Sequence, residues 1–222
     1  MIPRIAHFHW EGPPMGWLRM MGIWSFIRLN PRWEVRLHRT PDKIRKLKLP
    51  CYGNEADWTW LEMVHKHGGF ALATDTVFVK PMPEEWLDAD FCGCFLNDER
   101  LWHCCFGAKR RNKFIKACFD HCSNSLKAEM GYEHLGIKLL NRVFQKDRDS
   151  VLRCNLSRMS DSAITPVGYY EVERCWEGGE LDLPDDTVGV TWFGANKLSL
   201  IYEYKADSGD FPITKLARKV LS

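Results

Sequence analysis

The chain has 222 residues, 45% of them hydrophobic and 27% charged, with a formal net charge of +2. That profile belongs to a soluble globular protein long enough to bury a sizeable core as one large domain. It excludes a membrane-spanning chain, because no apolar run approaches the roughly 18 residues a span needs, and so small a net charge does not by itself signal nucleic-acid binding.

The N-terminus, MIPRIAHFHWEG, lacks the charged-then-apolar layout of a signal peptide, so the chain reads as cytoplasmic. Nine cysteines, an odd count with no CxxC pair, give neither a disulfide framework nor a zinc ribbon. His103, Cys104, Cys118, His121 and Cys122 could converge on a metal; the reading taken is small buried hydrophobes in a reducing compartment.

In chain order, residues 2–10 alternate as a strand, with Ile5, His7 and His9 on one face and Ala6, Phe8 and Trp10 on the other. Glu11-Gly12-Pro13-Pro14 breaks it, and Leu18, Met21, Trp24, Ser25 and Arg28 recur at helical spacing. Asn30-Pro31 ends that helix. A strand follows at 33–38, then a basic helix or loop at 41–50. A helix is predicted over 55–67, with Asn54 as N-cap, Asp57 as the acidic half of a capping box, and Trp60, Met63, Val64 and His67 as its buried stripe. Gly68 supplies the C-cap. FALA (70–73) is apolar on both faces, as a central strand is, and VFVKP (77–81) is a second strand. Asp75 falls in the bend between them, where the bland reading is a turn-forming Asx residue.

Strands are predicted at 90–96 and 101–108, a basic helix at 109–122 and a helix at 132–145. Further strands fall at 163–172 and 187–194. The tail, ITKLARKVLS, is a basic amphipathic helix, which either lies on an anionic membrane surface or docks on its own domain; docking is the reading taken. Asp98 and Glu99 sit in a solvated turn. Lys109, Arg110, Arg111, Lys113 and Lys116 form a solvated face or steer a polyanionic acceptor such as modified nucleic acid. Alternating strands and helices predict an α/β domain with a mainly parallel sheet, which binds ligands beyond the carboxyl ends of its strands, where Trp10 and Asp75 fall.

Three blocks in order resemble a known family, the small GT-A glycosyltransferases with a DXD motif, of the capsular-polysaccharide and mannosyl-type group related to clostridial glucosylating toxins. IPRIAHFHW (2–10) resembles the family's opening strand, and SFIRLNPRWEVRLH (25–38) its SWxxxNPxWExxLW segment. ADWTWLEMVHKHGGFALATDTVFVKP (56–81) resembles the block that carries the DXD. The resemblance covers roughly residues 2–82 and thins out afterwards.

It implies a single Rossmann-like GT-A domain with helices on both faces of a mainly parallel sheet. In that domain 1–110 forms the nucleotide-sugar half, and 111–222 the acceptor half with the basic C-terminal helix. It implies a UDP- or GDP-sugar donor, a divalent metal (Mn²⁺ or Mg²⁺), and hexosyl or pentosyl transfer with retention to a glycan, protein or modified nucleic acid. Carried over by position, Asp75 is the metal-ligating acid, Trp10 the aromatic stacked on the base, and Asp57 the acid that bonds sugar hydroxyls. His9 and Ala73 are further donor-binding positions. In TWFGAN (191–196), Thr191, Trp192 and Asn196 contact the metal or diphosphate. Glu133 and His134 lie where the family places acceptor-facing residues, and no role is carried over to them.

The sequence departs from the family at three places. Ala73 replaces the first acid of the DXD, Trp60 an arginine, and Ala71 a tyrosine. These losses leave two readings open beside the active transferase: an altered donor such as a pentose, or a degenerate protein that binds nucleotide, glycan or nucleic acid without turnover. For Trp10, core packing competes with base stacking.

Overall fold

The computed structural model describes residues 1–49, 51–96, 100–126, 135–146, 148 and 154–222. Asp98, Glu99, Glu133 and His134 lie outside them. Eight strands are assigned among the described residues: β1 (Ile5–His9), β2 (Glu34–His38), β3 (Gly69–Leu72), β4 (Thr76–Phe78), β5 (Phe91–Leu96), β6 (Arg100–Ala108), β7 (Leu156–Met159) and β8 (Gly189–Thr191). The chain forms two compact units interleaved in sequence.

The first unit comprises Met1–Gly12, Trp33–Leu72 and Pro83–Met159. Its six-stranded sheet has the order β2-β1-β3-β6-β5-β7. The β1–β2, β1–β3 and β5–β7 pairs are parallel, while β6 runs antiparallel to both neighbours. The sheet is therefore mainly parallel, as expected, and helices Tyr52–His67, Lys113–Asn124 and Ile137–Lys146 belong to the same unit. β3 is buried at every residue, which explains why GFAL carries no polar side chain. β1, between β2 and β3, is buried from Ala6 to His9, so its two histidines go into the interior with it. β2 is an edge, and its Glu34–Arg36 pair keeps that edge charged.

Several expectations change here. The helix predicted to start after an Asn54 cap begins at Tyr52 behind Cys51, which makes no side-chain cap, and Asn54 is buried inside it. Asp57 therefore lies beyond the first turn, and the capping-box reading fails. Gly68 does close this helix, at φ 71°, with its N–H on the Val64 carbonyl at 2.8 Å. The basic run is not one helix either. Asn112 caps the helix by accepting the Phe114 and Ile115 N–H groups, so Lys109–Arg111 precede it in a turn in which Arg111 has φ 59°. All nine cysteines are free and seven are buried. No group of three His, Cys, Asp or Glu side chains suited to a metal occurs among the described residues.

The second unit comprises Pro13–Arg32, Ala73–Met82 and Ser160–Ser222. It contains the antiparallel β4–β8 pair and the helix Trp17–Leu29. Leu18, Val77, Val190, Trp192, Ile213 and Ala217 share its core. That core includes the buried side of the tail helix Pro212–Leu221, so the tail docks on its own unit as expected. The predicted strand at 163–172 is instead helical at Asp161–Ile164 and Tyr169–Glu171. Its hydrogen bonds close locally, Thr165 N–H and Oγ1 both reaching the Asp161 carbonyl, and Pro166 lacks the donor a ladder needs. The strand at 187–194 shrinks to three residues. Trp24, one of the residues at helical spacing, is 56% exposed, whereas Gly22 and Phe26 are buried. No helix among the described residues is long and apolar enough to cross a membrane.

The 17–29 helix is held against β4 by polar side chains as well as packing. Ser25 Oγ donates to the Gly22 carbonyl at 2.6 Å and accepts the Phe78 N–H at 2.9 Å. Asn30 Oδ1 accepts the Met82 N–H at 2.8 Å. Ahead of these anchors the helix comes so close that a Cβ on Gly22 would stand 2.5 Å from the Thr76 carbonyl oxygen. We expect Gly22→Ala to lose about 1–3 kcal/mol despite alanine's better helix propensity, because the obstacle is backbone. Urea denaturation monitored by circular dichroism measures this, and a stabilised variant would contradict the packing.

Candidate functional site

In the second unit, the turn leading into β4 presents Thr74 and Asp75. Asp75 is half-buried, three residues beyond the end of β3, as expected. Its carboxylate Oδ2 accepts the Gly194 N–H at 2.6 Å, and its carbonyl accepts the Trp192 N–H at 3.0 Å. Phe193, between those two donors, has φ 50°, a left-handed conformation costly for an aromatic residue. The N–H groups on either side of that kink, those of Trp192 and Gly194, both meet Asp75.

Arg19, from the 17–29 helix, lies in the field of this carboxylate. Its side chain is only 15% exposed, as is that of Glu203, to which it makes a bidentate pair, Nε to Oε1 at 2.5 Å and Nη2 to Oε2 at 2.9 Å. Arg19 Nη1 donates to Thr74 Oγ1 at 3.0 Å, and Trp192 Nε1 donates to Glu203 Oε2 at 3.3 Å. Burial alone would lower the pKa of Arg19, but Asp75 and Glu203 outweigh it and hold the guanidinium above its ordinary value. Gly194 leaves room for this group, since a Cβ there would stand 2.1 Å from Arg19 Nη2. Sequence reasoning missed Arg19 and Glu203. They lie 184 positions apart and in no motif, so no local spacing could have joined them.

The other residues carried over for this region have internal partners. Thr191 Oγ1 and Thr76 Oγ1 share a hydrogen bond at 2.9 Å across the β4–β8 pair. Asn196 Oδ1 accepts the Leu198 N–H at 2.9 Å, capping the helix Lys197–Tyr202. Trp192 is fully buried, and Ala73 is buried with no side-chain donor or acceptor.

The expected metal can be tested on this donor set. Only one carboxylate is presented, because Glu203 is bidentate on Arg19 and Ala73 stands where a second acid is expected. Thr191 and Asn196 each have one hydrogen bond on the side-chain oxygen, with Thr76 and Leu198. Asp75 also lies in the field of a fixed guanidinium. Glu203, bidentate on Arg19, offsets that charge. One carboxylate suits a divalent ion that takes its remaining ligands from diphosphate oxygens and water.

In the first unit, Trp10 follows β1 and is half-buried, its backbone N–H on the His38 carbonyl at 3.0 Å. Asp57 is buried, and a Cβ on Gly136 would meet its Oδ2 at 2.6 Å. Trp60, in place of the family's arginine, is buried, and its indole N–H finds no partner among the described residues. His9 Nε2 lies 3.0 Å from Thr40 Oγ1, whose own proton goes to Glu55 Oε2 at 2.8 Å, so His9 is the donor of the first bond. His7 Nε2 lies 2.8 Å from the Gly68 carbonyl and must carry the proton there; neutral Nδ1 then accepts from His38 Nε2 at 2.9 Å.

The sequence matches no family model and no curated protein. Solved structures do resemble the fold. PaToxG glycosyltransferase aligns with a TM-score of 0.53 at 12% identity, over 68% of this chain and 71% of that one. A glycosyltransferase involved in the glycosylation of the major capsid of PBCV-1 aligns at 0.50 and 6% identity, over 99% and 100%. The fold is thus α/β and GT-A-like, a mainly parallel sheet flanked by helices.

Burial, foremost, lowers the pKa of His7 and of His9 to about 4 from the usual 6.5. The folded state favours the neutral rings, so their contribution is intact above about pH 6.5 and is lost as pH falls toward about 4. A difference of that size corresponds to ~3 kcal/mol per histidine. We expect urea denaturation to give a lower unfolding free energy near pH 4.5 than near pH 7, and His9→Gln to flatten the dependence. A pH-independent stability across that window would contradict the buried assignment.

Proposed function

We propose that this chain transfers a sugar from a nucleotide-sugar donor to an acceptor oxygen. The observation that carries the reading is the Thr74–Asp75 turn beyond β3 of a GT-A-like sheet, in the sequence block where the resemblance puts the donor-binding acid. In the reaction the bond from C1 of the sugar to the diphosphate oxygen breaks, and the electron pair leaves with the nucleoside diphosphate. The acceptor oxygen forms the new bond to C1 and passes its proton to the departing diphosphate oxygen. Retention is proposed, as the resemblance implies, and no side chain is assigned as nucleophile.

Within this reading Trp10 stacks on the base, Asp57 binds sugar hydroxyls, and Asp75 contacts the donor. His9 serves through the position of Trp10 rather than by touching the donor, because its Nε2 is committed to Thr40. Ala73, Thr191, Trp192 and Asn196 shape the Asp75 turn from within the fold. A divalent ion held by Asp75, with diphosphate oxygens and water as its other ligands, is part of the reading. The proposed site is not confined to 1–110, since Gly194 bonds Asp75 and Glu203 holds Arg19. The acceptor is a glycan, protein or modified nucleic acid. A polyanionic acceptor would meet exposed Lys109, Arg110, Arg111, Lys113 and Lys116, now divided between a turn and a helix.

Release of UDP or GDP from a panel of hexose and pentose donors tests the proposal. We expect turnover of at least one donor, reduced ~100-fold by Asp75→Asn with the fold intact. No turnover, with UDP or GDP still bound, would favour the degenerate binder instead.

A further inference from the structure

A row of aromatic rings that the donor reading does not use begins at the Asp75 turn. Phe193 lies between the Trp192 and Gly194 N–H groups that meet Asp75, and its ring packs edge-on against Tyr169, centroids 5.4 Å apart. Tyr169 meets Tyr170 edge-on at 5.5 Å. Buried Val167 and Val172 hold the two ends of this short segment in the core of the second unit, and the tyrosines between them turn outward. Exposure rises along the row, from the partly buried Phe193 to Tyr169 at 43% and Tyr170 at 92%. All three belong to the same unit as Asp75. A tyrosine ring in water offers a flat apolar face with a polar tip. A pyranose, apolar on one face and hydroxylated at its edge, matches it. The neighbouring charges narrow the choice further. From Glu171 to Asp186 the chain carries seven acidic residues, all exposed, and one basic residue, Arg174, which pairs with Glu171 at 3.2 Å. Carboxylates accept hydrogen bonds from hydroxyl groups and repel phosphates, sulfates and uronates. Nucleic-acid bases also stack on aromatic rings, but their strands need cations alongside, and this segment supplies the opposite charge.

We infer that Tyr169 and Tyr170 form an acceptor subsite for an uncharged glycan, with one pyranose ring stacked on Tyr170 and Phe193 supporting Tyr169 from behind. Its role as an acceptor subsite rests on the nucleotide-sugar reading above; its affinity for a neutral glycan does not. Phe193 is the link between the two functions. Its flanking N–H groups are fixed by Asp75, and its ring is fixed against Tyr169, so a glycan on the tyrosines is held next to the turn assigned to the donor.

The test screens the full chain on an array of neutral and anionic glycans, then titrates the best neutral oligosaccharide beside oligothymidylate, polygalacturonate and hexalysine. At least one neutral glycan should bind. Tyr170→Ala and Tyr169→Ala should each weaken it about 5-fold or more, whereas Tyr170→Phe, which keeps the ring, should change it less than about twofold. Circular dichroism checks that the alanine variants stay folded. Failure of every neutral glycan to bind overturns the inference. So does binding that both alanine variants leave unchanged, or tighter binding of oligothymidylate, polygalacturonate or hexalysine. Glycan binding that Tyr170→Ala weakens, with no turnover of any nucleotide sugar, sinks the transferase reading and leaves the glycan site standing.

Discussion

A guanidinium that is 15% exposed must be paired, and Arg19 is paired in a way that ties together distant parts of its unit. It reaches from the 17–29 helix to Thr74 in the turn before β4 and to Glu203 near the end of the chain. The helix in turn is fixed on β4 by Gly22, Ser25 and Asn30. The segment after β8 is fixed by Asp75, through Trp192 and Gly194. Removing either partner of such a pair strands a charge in a low-dielectric site, so the placement of the Asp75 turn depends on it. The same dependence gives the turn its electrostatic character: a carboxylate beside a fixed cation that Glu203 already pairs.

The first unit is built on a different constraint. Its sheet buries β1 on both sides, and the two histidines taken inside with it are hydrogen-bonded, His9 through Thr40 to Glu55 and His7 between Gly68 and His38. Both histidines are kept neutral by burial, which suits them to shaping the strand that leads into Trp10 and not to proton transfer near neutral pH.

Much of this fold was legible in the sequence. The alternation in 2–10, the doubly apolar FALA and the Gly68 stop encode β1, β3 and the break between helix and strand, because period and punctuation are local signals. The α/β class and the location of Asp75 between two strands followed from them. Errors arose where tertiary packing decides. Trp24 has helical spacing but faces solvent, since Gly22 is the residue that meets β4. The 163–172 segment has strand composition but closes its own hydrogen bonds around Pro166. The helix start at Tyr52 needed no side-chain cap. In the candidate site, Asp75 was found by motif, whereas Arg19 and Glu203 could only be found in space, since charge pairing across 184 positions leaves no mark on spacing or composition.

The central claim is that Arg19 and Glu203 act as one element holding the Asp75 turn. A double-mutant cycle on unfolding free energy with Arg19→Met and Glu203→Gln measures this most directly. The account predicts that each single substitution costs about 3–5 kcal/mol and that the double variant costs at least ~2 kcal/mol less than their sum. Costs that simply add, within about 0.5 kcal/mol, would mean that the two residues act independently and would contradict it.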